Sequence, residues 1–208
     1  MEGQTGGGVD WLADLERRSR LATPADTARG LFFSGMLSSI EALGDAALAK
    51  RCLEVSGQTA FIEFFSYPIS LYVRMVSSAL GMLAQRYGSG EEALRRIGGH
   101  ATKSFLESTA GRSHLVVSGG SPRRIVEALP VTYRVSTTFG ERRVEWTSHQ
   151  SGRLVGKREF LPYPFHEGVL LAVLEATGAQ GVQVRGRATS ELDCECEFSW
   201  THTGGTAR

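Results

Sequence analysis

Along the first 130 positions apolar residues recur at three- and four-residue steps, the period of a helix with one buried stripe. Leu31, Phe32, Met36, Leu37, Ile40 and Leu43 form the first such set, closed by Gly44. Asp45 opens a second helix that reaches Val55 and ends at Gly57, and Pro68 starts a longer one to about Tyr87 with Leu71, Met75, Leu80 and Leu83 on one face. Glu91-Glu92 supply the acidic first turn of a helix that runs past Gly98-Gly99, a kink or a close helix contact, to Ser108. Residues 109–117 read as another helix, and Ser121-Pro122 cap a short one that stops at Pro130. Residues 9–22 are either a short helix with Trp11, Leu12 and Leu15 on one side or a strand-like arm.

After Pro130 the period shortens to two, the signature of strands. Residues 132–139 and 141–147 alternate about Gly140, and Ser151-Gly152 turn the chain into residues 153–160, which predicts a three-stranded meander. Pro162 and Pro164 end it and begin a helix whose apolar face is Phe165, Val169, Leu170, Val173 and Leu174, ended by Gly178. Strands over residues 181–189 and 192–201 follow, the last with Cys194, Cys196, Phe198 and Trp200 on one face. The fold class is therefore α+β: an N-terminal helical layer on a C-terminal antiparallel sheet, with one crossing helix. No Pro/Ser-rich hinge divides the halves, so one domain over residues 9–200 is expected, flanked by disordered Gly- and Thr-rich tails at 1–8 and 201–208.

Composition narrows the function classes. With 23 basic and 22 acidic residues the chain has no field to draw nucleic acid or an anionic membrane. Its basic clusters, Arg17-Arg18-Ser19-Arg20, Arg95-Arg96, Arg123-Arg124, Arg142-Arg143 and Arg185-Gly186-Arg187, are spread over different elements and read as solvated surface. No run approaches the roughly 18 apolar residues of a membrane span, and the first nine positions are acidic and Gly-rich, so neither a membrane anchor nor a secretory signal is expected. Three cysteines make no disulfide framework and suit a reducing cytoplasm. Phosphate-loop, dinucleotide, nucleophile-elbow and zincin motifs are absent.

Several segments carry a resemblance. Phe165-His166-Glu167-Gly168-Val169-Leu170, Glu175-Ala176-Thr177-Gly178-Ala179 and Cys196-Glu197-Phe198-Ser199-Trp200 resemble the C-terminal half of the 4-vinyl-reductase type of domain. That group shares its fold with the heme-nitric-oxide/oxygen-binding (H-NOX) domains and with small subunits of vesicle-tethering complexes. Arg29-Gly30-Leu31-Phe32-Phe33, Gly111-Arg112, Leu129-Pro130-Val131-Thr132-Tyr133 and the final strand look like a paralogous family of unknown function expanded in myxobacteria. The resemblance implies a helical layer against an antiparallel sheet with a pocket between them, where the related domains hold heme, small hydrophobic molecules or an acyl chain. A shared fold does not transfer activity.

The candidate sites follow from these readings. A pocket between the layers would be lined by Phe64, Tyr72, Trp146, Phe165 and Val169. The aromatic group Phe61, Phe64, Phe65, Tyr67 and Tyr72 reads as core, as pocket lining, or as a dimer seam along the helix at residues 66–87. H-NOX domains pair a helix-borne axial His with a Tyr-x-Ser-x-Arg motif for the heme propionates; Tyr133-Arg134-Val135-Ser136 has a different spacing, which leaves His100 and His114 as the heme-ligand candidates. Cys194 and Cys196 share a face but lack two further zinc ligands, and the preceding strand, Val184-Arg185-Gly186-Arg187, has no cysteine where the 4-vinyl-reductase type carries one. They read as core, and His166-Glu167, which could pair with a cysteine, read instead as the first turn of a helix, where Glu167 favours the dipole. No catalytic residue, metal or cofactor is expected, heme being the alternative that stays open. The sequence thus describes a cytoplasmic, non-enzymatic module that binds a small hydrophobic molecule or a protein partner, homodimeric and regulatory. The alternatives are a heme-based gas sensor and a metal- or thiol-dependent enzyme using Cys194 and Cys196.

Overall fold

Asp10 settles how the chain begins: its carboxylate accepts the Leu12 and Ala13 amides at 3.1 Å each, capping a helix and excluding the strand-like arm. The structure, a computed structural model, describes residues 9–203; the expected tail at 1–8 and the end of the C-terminal one lie outside them. The order is α1 (Trp11–Leu21), β1 (Thr27–Arg29), α2 (Gly30–Leu43), α3 (Ala46–Ser56), β2 (Ser66–Pro68), α4 (Ile69–Tyr87), α5 (Gly90–Glu107), α6 (Thr109–Ser118), α7 (Pro122–Ser136), β3 (Glu141–Trp146), β4 (Ser151–Lys157), α8 (Tyr163–Glu175), β5 (Ala179–Gln180), β6 (Gln183–Ala188), β7 (Cys194–Ser199) and β8 (His202–Thr203). Side-chain caps at Asp45, Ser89, Ser108 and Ser121 start α3, α5, α6 and α7 where the polar residues mark them.

Helix α4 is central to the helical layer and packs on α1, α3 and α5. Its residues Tyr72, Met75, Leu80 and Leu83 are buried within the chain, while Met82 is exposed. Helix α5 joins the layers by packing on α2 and α4 and, most extensively, on α8. The paired glycines of α5 are a close contact. A methyl group on Gly98 would overlap the Phe165 carbonyl, and one on Gly168 of α8 would overlap the Arg95 carbonyl. The two backbones touch without side chains between them.

The sheet has the order β3-β4-β7-β6, all antiparallel. Two hairpins, β3–β4 and β6–β7, meet along β4 and β7, and α8 is the connection that crosses between them. In register, Arg142, Gly156, Cys194 and Ala188 lie across one row; Val144, Leu154, Cys196 and Gly186 form the next, and Trp146, Gly152, Phe198 and Val184 the third. These three rows face α8 and the core, and β5 pairs with β8 outside this sheet.

Two predictions are corrected. The strand expected at residues 132–139 is the second half of α7, which runs through Pro130 to Ser136. Thr132, Tyr133 and Leu129 face inward with Ile125 at helical spacing, while Val131 and Val135 are exposed. Burial of this stripe outweighs one backbone bond lost at the proline and the β-branched alternation that imitates a strand. The meander is consequently a hairpin joined to the second hairpin. The short pair β1–β2 was not foreseen, because three-residue strands give no measurable period.

Candidate functional site

Where the helical layer meets the sheet, the structure leaves a cavity of about 110 Å³. Leu31 and Phe32 of α2, Ile69 and Tyr72 of α4, and Phe105 and Leu106 of α5 wall one side, and Ile125, Leu129 and Tyr133 of α7 another. Phe165, Val169 and Val173 of α8 close it from below. Such a space is a little smaller than the roughly 150 Å³ cavity known to admit benzene, and well short of the roughly 300–1,000 Å³ of drug-sized sites.

One end of the cavity is polar. Arg142 points inward from the first row of the sheet, and its Nη2 donates to Glu159 Oε2 at 2.5 Å. Both side chains are almost wholly buried, at 4% and 3% exposure. The guanidinium carbon stands 3.8 Å from the centre of the Tyr133 ring, and Arg142 Nε is buried without a hydrogen-bond partner among the described residues. Glu159 is held from three sides. Its amide donates to the Leu192 carbonyl at 2.6 Å, its carbonyl accepts Arg18 Nη1 at 2.9 Å, and Gly156 leaves the space its carboxylate fills. Arg18 is in turn paired with Asp14 at 2.5 Å, both buried, so α1 braces the polar end from behind.

His166 sits beside this pair, with Nε2 3.2 Å from the Leu161 carbonyl and 3.6 Å from Glu159 Oε2. A carbonyl can only accept, so Nε2 carries the proton. Burial pushes the His166 pKa down despite Glu159, which leaves the ring neutral at pH 7. Burial also pushes Tyr133 up to about 12 and raises Tyr72 still further, so both phenols stay protonated. Neither hydroxyl has a hydrogen-bond partner among the described residues. The polar end thus combines a balanced ion pair, a neutral imidazole and three donor groups without acceptors.

Of the residues expected to line a pocket, Tyr72, Phe165 and Val169 lie on this cavity. Phe64 does not: it is 81% exposed in the segment before β2, because Phe33, Phe61 and Tyr67 fill the aromatic cluster without it. Trp146 is displaced too, since it occupies the third row of the sheet, at the far end from Arg142, against Phe198 and Trp200 and under the Arg123 guanidinium. His114 lines the cavity near Phe105, whereas His100 on α5 does not. The residues missed were Arg142, Glu159 and Tyr133. Strand parity placed Arg142 with Val144 and Trp146 on the apolar face, the one legible signal; Glu159 sits in a loop, and Tyr133 was hidden by the strand reading of α7.

The remaining candidates resolve into structure. Cys194 and Cys196 are buried, free thiols, and hydrogen bonding with Cys194 together with burial pushes the Cys196 thiol well above its usual range. His166 makes its polar contacts with Leu161 and Glu159, and Glu167 accepts Arg95 at 2.6 Å and the Gly186 amide at 2.5 Å, so neither is hydrogen-bonded to a thiol. No group of three metal-ligating side chains occurs among the described residues. The basic clusters are largely ion-paired: Arg17 and Arg18 with Asp14, Arg95 and Arg96 with Glu92, Arg123 with Glu127, Arg143 with Glu145, and Arg187 with Glu195. Among the described residues no helix is long and apolar enough to cross a membrane.

These residues do not fit a heme. The free volume is below that of a benzene site; among the described residues the only cationic side chain on the wall is Arg142, already paired with Glu159, and His114 is the one imidazole on its flank besides the carbonyl-bound His166.

A family model described as "Protein of unknown function (DUF2378)" matches residues 21–201. Among curated proteins none matches the sequence. Solved structures similar in fold include the Fe(II) unliganded H-NOX protein from K. algicida, at TM-score 0.65 and 12% identity over 85% of this chain and 98% of that one. The Fe(II)NO H-NOX protein from S. oneidensis gives 0.65 and 12% over 84% and 99%. An oxygen-binding H-NOX domain related to soluble guanylate cyclases gives 0.63 and 11% over 86% and 98%. At these identities the likeness is one of fold.

Proposed function

We propose that this chain, which belongs to the DUF2378 family of unknown function, is a non-enzymatic regulatory module that holds one small apolar molecule between its helical layer and its sheet. The observation that carries this reading is the partly open cavity of about 110 Å³, walled by aromatic and aliphatic side chains at the meeting point of α2, α5, α7 and α8. A chain selected only for stability would fill such a space, since empty volume costs roughly 24 cal/mol per Å³. The fold is one that H-NOX proteins also use, and the heme-sensor alternative would need this cavity to open several-fold and His114 to become an axial ligand.

The test is native mass spectrometry of protein purified from its own host, joined to a toluene titration followed by methyl NMR. A retained small molecule or saturable shifts at Val169 and Val173 are expected, and both should vanish in Val169→Trp, which fills the space while circular dichroism reports an intact fold. A bare chain mass together with no saturable shift would overturn the proposal. Hemin reconstitution is expected to give no Soret band; a band lost on His114→Ala would favour the sensor instead.

A further inference from the structure

The polar end of the cavity has donors to give and no charge to spare. Arg142 Nε is buried and unpartnered, and the hydroxyls of Tyr72 and Tyr133, which line the same space, have no acceptor among the described residues. A buried donor left unmade costs about 1–3 kcal/mol, so Arg142 Nε, with two unpartnered hydroxyls beside it, asks for an acceptor atom at this end of the pocket. The same end is already neutral, because Glu159 balances Arg142 at 2.5 Å and His166 donates to a carbonyl and carries no charge. A ligand carboxylate would bring a second negative charge beside Glu159 in a site walled mostly by apolar side chains. Resting on the cavity-binding reading above, we infer that the cavity selects small apolar molecules bearing one uncharged hydrogen-bond acceptor, a ketone, aldehyde or ester carbonyl, received by Arg142, Tyr133 and Tyr72.

Three probes of nearly one shape separate the terms: ethylbenzene has no acceptor, acetophenone has a neutral one, and benzoate has a charged one. Acetophenone leaves water less readily than ethylbenzene, so any preference for it reads the donors and not the apolar wall. Titration of the full chain by NMR is expected to show acetophenone binding at least tenfold more tightly than ethylbenzene and benzoate binding more weakly than either. Tyr133→Phe and, as a second variant at the same end, Tyr72→Phe should each cut the acetophenone-to-ethylbenzene ratio at least threefold; the melting temperature checks that each is folded. Ethylbenzene equal to acetophenone, benzoate tightest of the three, or a ratio that neither variant moves would overturn the inference while leaving the cavity reading intact. If none of the probes binds, the cavity reading itself fails.

Discussion

Helices α6 and α8 both border the cavity, yet they are held by opposite means. In α8 the run from Pro164 to Leu170 and then Ala172 to Leu174 is buried, pressed between α5 and the sheet, and it gives the cavity Phe165, His166, Val169 and Val173. In α6 only Gly111 and Ser118 are buried, Val116 and Val117 are 78% and 82% exposed, and His114 is its one contribution to the wall. Local stability follows buried contact, so one wall is fixed by the core while the other can open at small cost. Under the proposed reading, α6 is the wall that yields, and α8, β3 and the Glu159 loop hold the groups a ligand would meet.

The sharpest way to break this contrast is at the fixed wall. Gly168→Val drives side-chain atoms into the Arg95 carbonyl, and the α5–α8 contact cannot relax without separating the layers. Loss of a cooperative urea transition is expected, a destabilisation on the order of 4 kcal/mol or more; a folded variant would show that the close contact is dispensable. Next in size is Arg142→Leu, which strands Glu159 in the core and is expected to cost roughly 3–5 kcal/mol in urea melts. Adding Glu159→Leu should recover much of it, and a double variant as weak as the single would refute the pairing.

A smaller effect comes from acid. His166 is neutral in the folded protein because burial lowers its pKa below the ordinary 6.5, so the unfolded chain takes up the proton first. Stability is thus intact above about pH 6.5 and falls as pH drops through that value, by no more than roughly 1.4 kcal/mol per pH unit. Chemical melts at pH 7.5 and 5.5 should show the loss, and His166→Gln, which keeps a donor for the Leu161 carbonyl, should flatten it. An unchanged slope would assign the pH dependence elsewhere. Least of all should follow from Val117→Ser on the open wall, within about 0.5 kcal/mol. Hydrogen exchange completes the contrast: amides of α6 should exchange well ahead of those of α8, and equal protection would contradict a movable wall.

Legibility in the sequence followed the same divide. Caps and helical periods marked α1 to α6 and α8, and alternation marked β3, β4, β6 and β7, because those signals are local. The shared face of Cys194, Cys196 and Phe198 was equally readable, since a strand's side chains alternate whatever it packs against, whereas Arg142 was read with Arg143 as solvated surface and is buried instead. Pro130 misled because a proline's local cost of a hydrogen bond is outweighed by burying Leu129 and Tyr133, a sum no window of residues contains.

By itself, then, the sequence determined the fold class, the element types outside residues 132–136 and the short β1–β2 pair, and the inward face of the last strand, for these rest on steric period and capping along the chain. Only the tertiary structure decided that Phe64 and Trp146 leave the pocket and that the glycines of α5 and α8 meet. It also decided that Arg142, Glu159, His166, Tyr133 and Tyr72 converge on one end of the cavity. Convergence of that kind depends on distances between segments far apart in the chain, and the strength of a buried charge or donor depends on what surrounds it in three dimensions.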